Sequence, residues 1–306
     1  PLSAHPTEPL PQIFGEDISF EHITLGDGIS QSWTYSILQD RSGFIWFGSE
    51  DGLFRYDGNN FRVYRNDPFN EESLSSNIVW DLLEDSDGVL WVATEKGLNR
   101  FDSVMGTFTR YQHVAGEEYS LTDNAVIKIM QDAQGNYWVG TRGGGMDRFD
   151  PTSGRFIHYR HDPRSPFSLS SDTVREIFQD ASGALWVGTD FGLDRLDRRT
   201  LTFAHFRHEE SQPESLSNNE IRSIAEDAQG YLWVGTAGGV NRFDPRSGRV
   251  VQYRNQVEDT SSLSDDSVWG VFIDSSDNLW ITTNNGLNLY RPKTDDFRRY
   301  EFELGS

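Results

Sequence analysis

Seven histidines, 48 acidic side chains and no cysteine bound the chemistry open to this 306-residue chain. The histidines are His5, His22, His113, His158, His161, His205 and His208. His158 and His161 are three apart, but a strand turns such a pair to opposite faces and spoils it as a metal clamp. No Ser-His-Asp grouping, glycine-rich phosphate loop or metal motif is visible. The string Asp85-Ser86-Asp87-Gly88 has the look of a calcium loop. A calcium site gathers several oxygens, however, and each turn of this kind offers one fixed carboxylate. The chain is therefore read as a non-enzyme that needs no cofactor and no metal. A lyase or hydrolase is the weakest of three readings.

One position is more informative. Five residues before an aspartate that recurs along the chain stand Tyr35, Trp80, Ile127, Arg175, Arg222 and Trp269. Two residues further on, the same register holds only aliphatics: Ile37, Leu82, Ile129, Ile177, Ile224 and Val271. One slot varies in chemistry on a frame that does not. Aromatic faces stack on sugar rings, and arginine forks grip carboxylates. With Arg142, Phe191 and Trp33 on the same expected rim, the slot is a candidate ligand-binding ring. The competing reading is that these large side chains plug a channel or pack between repeats.

The elements that must hold this ring follow from the repeat. Trp46, Trp91, Trp138, Trp186, Trp233 and Trp280 recur at 45 to 48 residues, each six after an aspartate: Asp40, Asp85, Asp132, Asp180, Asp227 and Asp274. Glycine precedes five of the tryptophans by three, and Asp277 replaces it in the last copy. Each copy divides into four short strands rich in β-branched and aromatic residues, joined by Asp- and Gly-containing turns. Four antiparallel strands per 47 or so residues make a propeller blade. The expectation is an all-β chain: a β-propeller of six sequence-encoded four-stranded blades, alone or within a seven-bladed ring. The blades span approximately 33–64, 78–111, 125–159, 173–206, 220–253 and 267–300. Residues 1–17 form a loose lead-in, and 18–306 the propeller domain. The tryptophans are expected to be buried between blades, and the aspartates to cap their turns through backbone N–H groups.

The long connections 65–77, 112–124, 160–172, 207–219 and 254–266 vary, but end alike in SLSSN, SLTDN, SLSSD, SLSNN and SLSDD. Their leucines are read as buried staples. A propeller puts these connections on one face and the uniform Asp turns on the other, which looks less suited to a specific site. Phe20 to Ile23 reads as a spare fourth strand, expected to pair with blade six or leave an edge for another chain to cover.

Composition narrows the partners. A net charge of −21 disfavours nucleic acid and anionic lipid. Apolar runs are too short to span a membrane as a helix. Nine Trp, eleven Tyr and twenty Phe argue against disorder. The three lysines, Lys96, Lys128 and Lys293, are read as compositional bias without a role.

The copies EDSDGVLWVATEKGLNRFD, QDASGALWVGTDFGLDRLD and EDAQGYLWVGTAGGVNRFD carry a resemblance. They are similar to the two-component regulator propeller repeat, close to D-x-x-G-x-LW-[IV]-GT-x-x-GL-x-R-[FY]-D, over residues 33–302. The GFIWFG and RYDG strings of the first copy resemble the usual opening of such sensors. The resemblance implies the periplasmic sensory region of a bacterial inner-membrane receptor. It implies an oligosaccharide or other small ligand, and adjoining receptor domains beyond residue 306 that end in a histidine kinase or diguanylate cyclase. Members commonly carry two propellers of about seven blades. A homodimer, or a scaffold that binds a protein partner through its loop face, is the alternative.

Overall fold

The structure, a computed structural model, describes residues 33–300. These fold into 24 strands in six four-stranded antiparallel sheets, each in sequential strand order. They form a six-bladed β-propeller with no helix, and thus no helix among the described residues long and apolar enough to cross a membrane. Blade two is representative, with strands Val79–Glu84, Leu90–Thr94, Gly97–Asp102 and Thr107–Tyr111. From blade one to blade six the first strands pack side by side around the axis.

The Asp turn explains itself chemically. Asp85 Oδ1 accepts the backbone N–H groups of Asp87 and Val89, both at 2.9 Å, which fixes the turn. Its other oxygen accepts the Trp91 indole N–H at 2.8 Å. The same indole bond recurs in all six blades, between 2.7 and 2.9 Å. Sequence reasoning had assigned only the backbone bonds. The turn needs a left-handed residue, so Gly88 has φ 83° and Asp277 takes φ 61° in the last copy.

Trp91, Trp138, Trp186 and Trp233 are buried, as the repeat implies. Each reaches into the next blade: Trp138 packs with Ile177, Leu185 and Val187. The staple leucines Leu74, Leu121, Leu169, Leu216 and Leu263 are buried too.

The seam between blades six and one differs. The aliphatic slot is under 8% exposed in blades two to six, but Ile37 in blade one is 67% exposed. Phe272, on the outward face of blade six, is 64% exposed. The described residues therefore leave two apolar blade faces uncovered. Phe20 to Ile23, expected to pair there, lie outside the described residues.

One local feature positions the site. The pairing of first and second strands slips by one residue at the same place in every blade, as between Val79 and Asp81 or Val174 and Glu176. The skipped residue is the variable slot. A β-bulge leaves its extra residue out of the ladder and re-aims its side chain. That is why this position tolerates aromatic, aliphatic and arginine alike.

Candidate functional site

Most of the expected ring residues fall into two contact groups, one on blades one to three and one on blades four to six. Tyr35 lies 4.5 Å from Trp80, centroid to centroid. The Arg142 guanidinium sits 4.9 Å over the Trp80 ring. Glu95 holds both, accepting the Trp80 indole N–H at 2.8 Å and an Arg142 N–H at 3.0 Å. Across the mouth, Arg175 donates to Asp190 and lies 3.5 Å from Glu220. Glu220 also accepts from Arg222 at 2.9 Å. The Arg222 guanidinium lies 4.0 Å over Trp269, whose indole N–H donates to Asn284 at 2.6 Å. Phe191 is exposed on the turn after Asp190 and stands apart from the ring contacts. Ile127 is half-buried.

Solvent reaches the rim. Trp33, Tyr35 and Trp269 are exposed, and Trp80, Arg175 and Arg222 are half-buried. The side chains are thus not fully buried between blades. The chemistry, however, differs from a set of free arginine forks. Arg142, Arg175 and Arg222 are each already paired with a carboxylate of the chain. An acidic ligand would have to displace Glu95, Asp190 or Glu220, so the rim offers aromatic faces and fixed donors in a charge-balanced frame.

Glu95, Asp190, Glu220 and Asn284 are the partners that sequence reasoning missed. A signal existed, because Trp80 to Glu95, Arg175 to Asp190 and Trp269 to Asn284 are all fifteen residues apart. Lys128 was missed as well. It follows the Ile127 slot on the channel strand of blade three and is not mere compositional bias. Its Nζ lies 3.1 Å from Glu176 and 3.5 Å from Asp81, on the first strands of the two flanking blades. Burial opposes its charge, but the two carboxylates outweigh this and raise its pKa above the usual lysine value.

Two histidines also find partners that the sequence hid. Ser170, Asp194 and His205 converge, contrary to the reading that no such group exists: His205 Nδ1 is 2.6 Å from Asp194 and 2.9 Å from Ser170 Oγ. This is not a nucleophile with its base. The Ser170 hydroxyl is buried and donates to Asp194, and His205 Nε2 meets the Pro166 carbonyl at 3.0 Å, so the three residues form a network that ties the fourth strand to the long connection. His158 likewise spans Asp147 and the Glu118 carbonyl, at 2.8 Å each. The hydrogen bond to the buried aspartate is the main cause that raises both histidine pKa values. A raised folded pKa stabilises fully below the unfolded value of about 6.5, and this contribution fades as pH rises through the folded value. The double variant His158→Gln/His205→Gln should therefore lose roughly 1–2 kcal/mol at pH 6 and much less near pH 9. Unfolding midpoints across that range check this; a pH-independent difference would contradict it. Glutamine fits because Gln252 already fills the slot in blade five, donating to Pro213 and Ser215 carbonyls.

Fold and repeat together define a propeller whose variable position sits on the same bulge in every blade. The two component regulator propeller family matches this chain six times, at residues 28–51, 73–96, 120–143, 168–191, 215–238 and 262–285, and the chain belongs to that family. A stretch of 56 residues is 45% identical to histidine kinase P4 of Formosa agariphila, covering 18% of this chain and 4% of the kinase. The extracellular domain of a hybrid two component system of B. thetaiotaomicron superposes with a TM-score of 0.56 at 20% identity, over 91% of this chain and 44% of that one. Virginiamycin B lyase of Staphylococcus aureus superposes with a TM-score of 0.65 at 15% identity, over 89% and 85%. At these identities the structures share the fold. The chain spans well under two thirds of the kinase and of the two component domain.

Proposed function

We propose that this propeller is the extracytoplasmic ligand-sensing domain of a bacterial signal-transduction receptor. It binds a neutral oligosaccharide at the rim of Tyr35, Trp80, Arg142, Arg175, Arg222 and Trp269, and passes the signal to a kinase or cyclase output elsewhere in the receptor. One observation carries the reading: the bulge recurs at one position in six blades and takes chemically varied side chains out of the strand ladder. Repeat proteins build binding surfaces by varying side chains on a constant frame. Stacking on Trp80 and Trp269 suits a sugar, and the paired state of the arginines favours a neutral one. The domain itself is read as non-catalytic, since the Ser170 hydroxyl is buried and donates to Asp194. Saturation-transfer NMR against a panel of neutral and acidic oligosaccharides tests this. Contacts to neutral members, lost in Trp80→Ala, are expected; binding confined to acidic members would overturn the specificity.

The uncovered faces at Ile37 and Phe272 favour a second role in association with another protein surface. Sedimentation analysis should then show a self-association that Ile37→Asp weakens.

A further inference from the structure

The Asp-turn face, which the sequence marks as uniform, is not uniform between blades. In two seams the carboxylate of the repeat aspartate is reached from the next blade, and in a third a first-strand glutamate is reached from the preceding one. In three seams the chain supplies its own donor. Tyr137 donates its hydroxyl to Asp85 at 2.7 Å between blades two and three. The Arg198 guanidinium donates to Asp132 at 2.8 Å between blades three and four. Between blades one and two, Arg41 lies 3.1 Å from Glu84 and donates to the Asp85 carbonyl at 2.7 Å.

Between blades four and five the acids remain and the cross-blade donors are gone, while Asp180 Oδ1 keeps its local donors, the Ser182 hydroxyl at 2.6 Å and the Ala184 N–H at 2.9 Å. Asp180 Oδ2 accepts the Trp186 indole N–H, while Pro245 lines the cleft where blade four carries Arg198. Glu226 stands at the Glu84 position, and Ala181 takes the place of Arg41, offering only its backbone N–H. The two intervening blades have Gln131 and Gln179 at this acidic position, making the same backbone contact. A glutamate appears twice: once with an arginine on it, and once facing a cleft of about 700 Å³. That cleft is lined by four acidic groups, Asp180, Glu226, Asp227 and Asp277, against Arg195 and Arg246. Arg195 lies over the Trp186 ring, 5.6 Å from its centroid. Burial, the leading cause, raises the Glu226 pKa, as fits an acid without a cation.

We propose that this cleft binds the guanidinium group of an arginine-like ligand, seated on Glu226 and Asp180 as Arg41 is seated on Glu84 between blades one and two and Arg198 on Asp132 between blades three and four. The site lies on the face opposite the rim, so it stands or falls independently of the sensing proposal. Isothermal titration of the intact chain with L-arginine amide, agmatine, L-lysine amide and L-citrulline tests it. Arginine amide and agmatine should bind with Kd of about 1 mM or tighter, lysine amide more weakly, and citrulline not at all. Glu226→Gln, a residue type the repeat already carries at this position, should weaken binding at least about tenfold. Ala181→Arg should abolish binding and raise Tm, by restoring the internal guanidinium seen at Arg41. Absence of heat with every probe at millimolar concentration overturns the proposal. So does citrulline or lysine amide binding as tightly as arginine amide, or unchanged affinity in Glu226→Gln.

Discussion

Trp186→Ala is expected to lower the unfolding free energy by about 3–5 kcal/mol, the range for deleting a large buried aromatic. Trp186 has no exposed surface and packs with Leu193, Leu216, Ile221, Ile224 and Phe243, bridging blades four and five. Its indole N–H also donates to Asp180 at 2.7 Å. Truncation leaves a cavity between blades and removes one of the donors that hold the Asp180 carboxylate. Trp186→Phe separates the two effects, since it retains most of the packing and forfeits the hydrogen bond; it should cost less than half as much. Urea denaturation of both variants checks this. A near-wild-type midpoint for the alanine variant would contradict the packing role.

Lys128→Met is expected to cost about 3 kcal/mol at neutral pH, the lower end for breaking a buried ion pair, because the lysine side chain is 24% exposed. The methionine would leave Asp81 and Glu176 facing each other with no cation between them. Burial already raises the Glu176 pKa, and loss of the Lys128 charge would raise it further. The loss should be largest above this raised value and shrink as acid protonates Glu176. Melting curves of the variant and the parent chain between pH 4 and 8 give the comparison. A stability difference that stays constant with pH would contradict the electrostatic role. Lys128→Arg, which keeps the charge, should recover most of the loss.

These two residues show which parts of the molecule could be read from sequence. Trp186 was legible because its role repeats: the same residue stands six after an aspartate in every blade, and periodicity alone separates it from the surface. Lys128 occurs once, and its partners come from two other repeats, so no pattern along the chain announces it. The rim was half legible. The variable slot stood out against constant neighbours, but the bulge that aims it leaves no mark in residue type, and its fifteen-residue partners change with it. The third and fourth strands hold a similar hidden signal. Asp147 and Asp194 face His158 and His205, Asn99 and Asn288 face Arg110 and Arg299, and Phe54 faces Val63. Acid goes with histidine, amide with arginine or, in blade five, with Gln252, and apolar with apolar, because the two positions face each other across the ladder. Reading each position singly left the histidines without a task. Comparing positions in pairs across copies would have found them.

The sensing role rests on the rim, and one measurement bears on it most directly. A neutral oligosaccharide that binds the parent chain should be titrated calorimetrically into the double variant Trp80→Ala/Arg175→Ala, with Tm recorded for both proteins. The rim account predicts that binding disappears while Tm stays nearly unchanged, since both side chains sit on bulges outside the strand ladder. Retained affinity in a folded double variant would contradict it and place the sensing site elsewhere on the propeller.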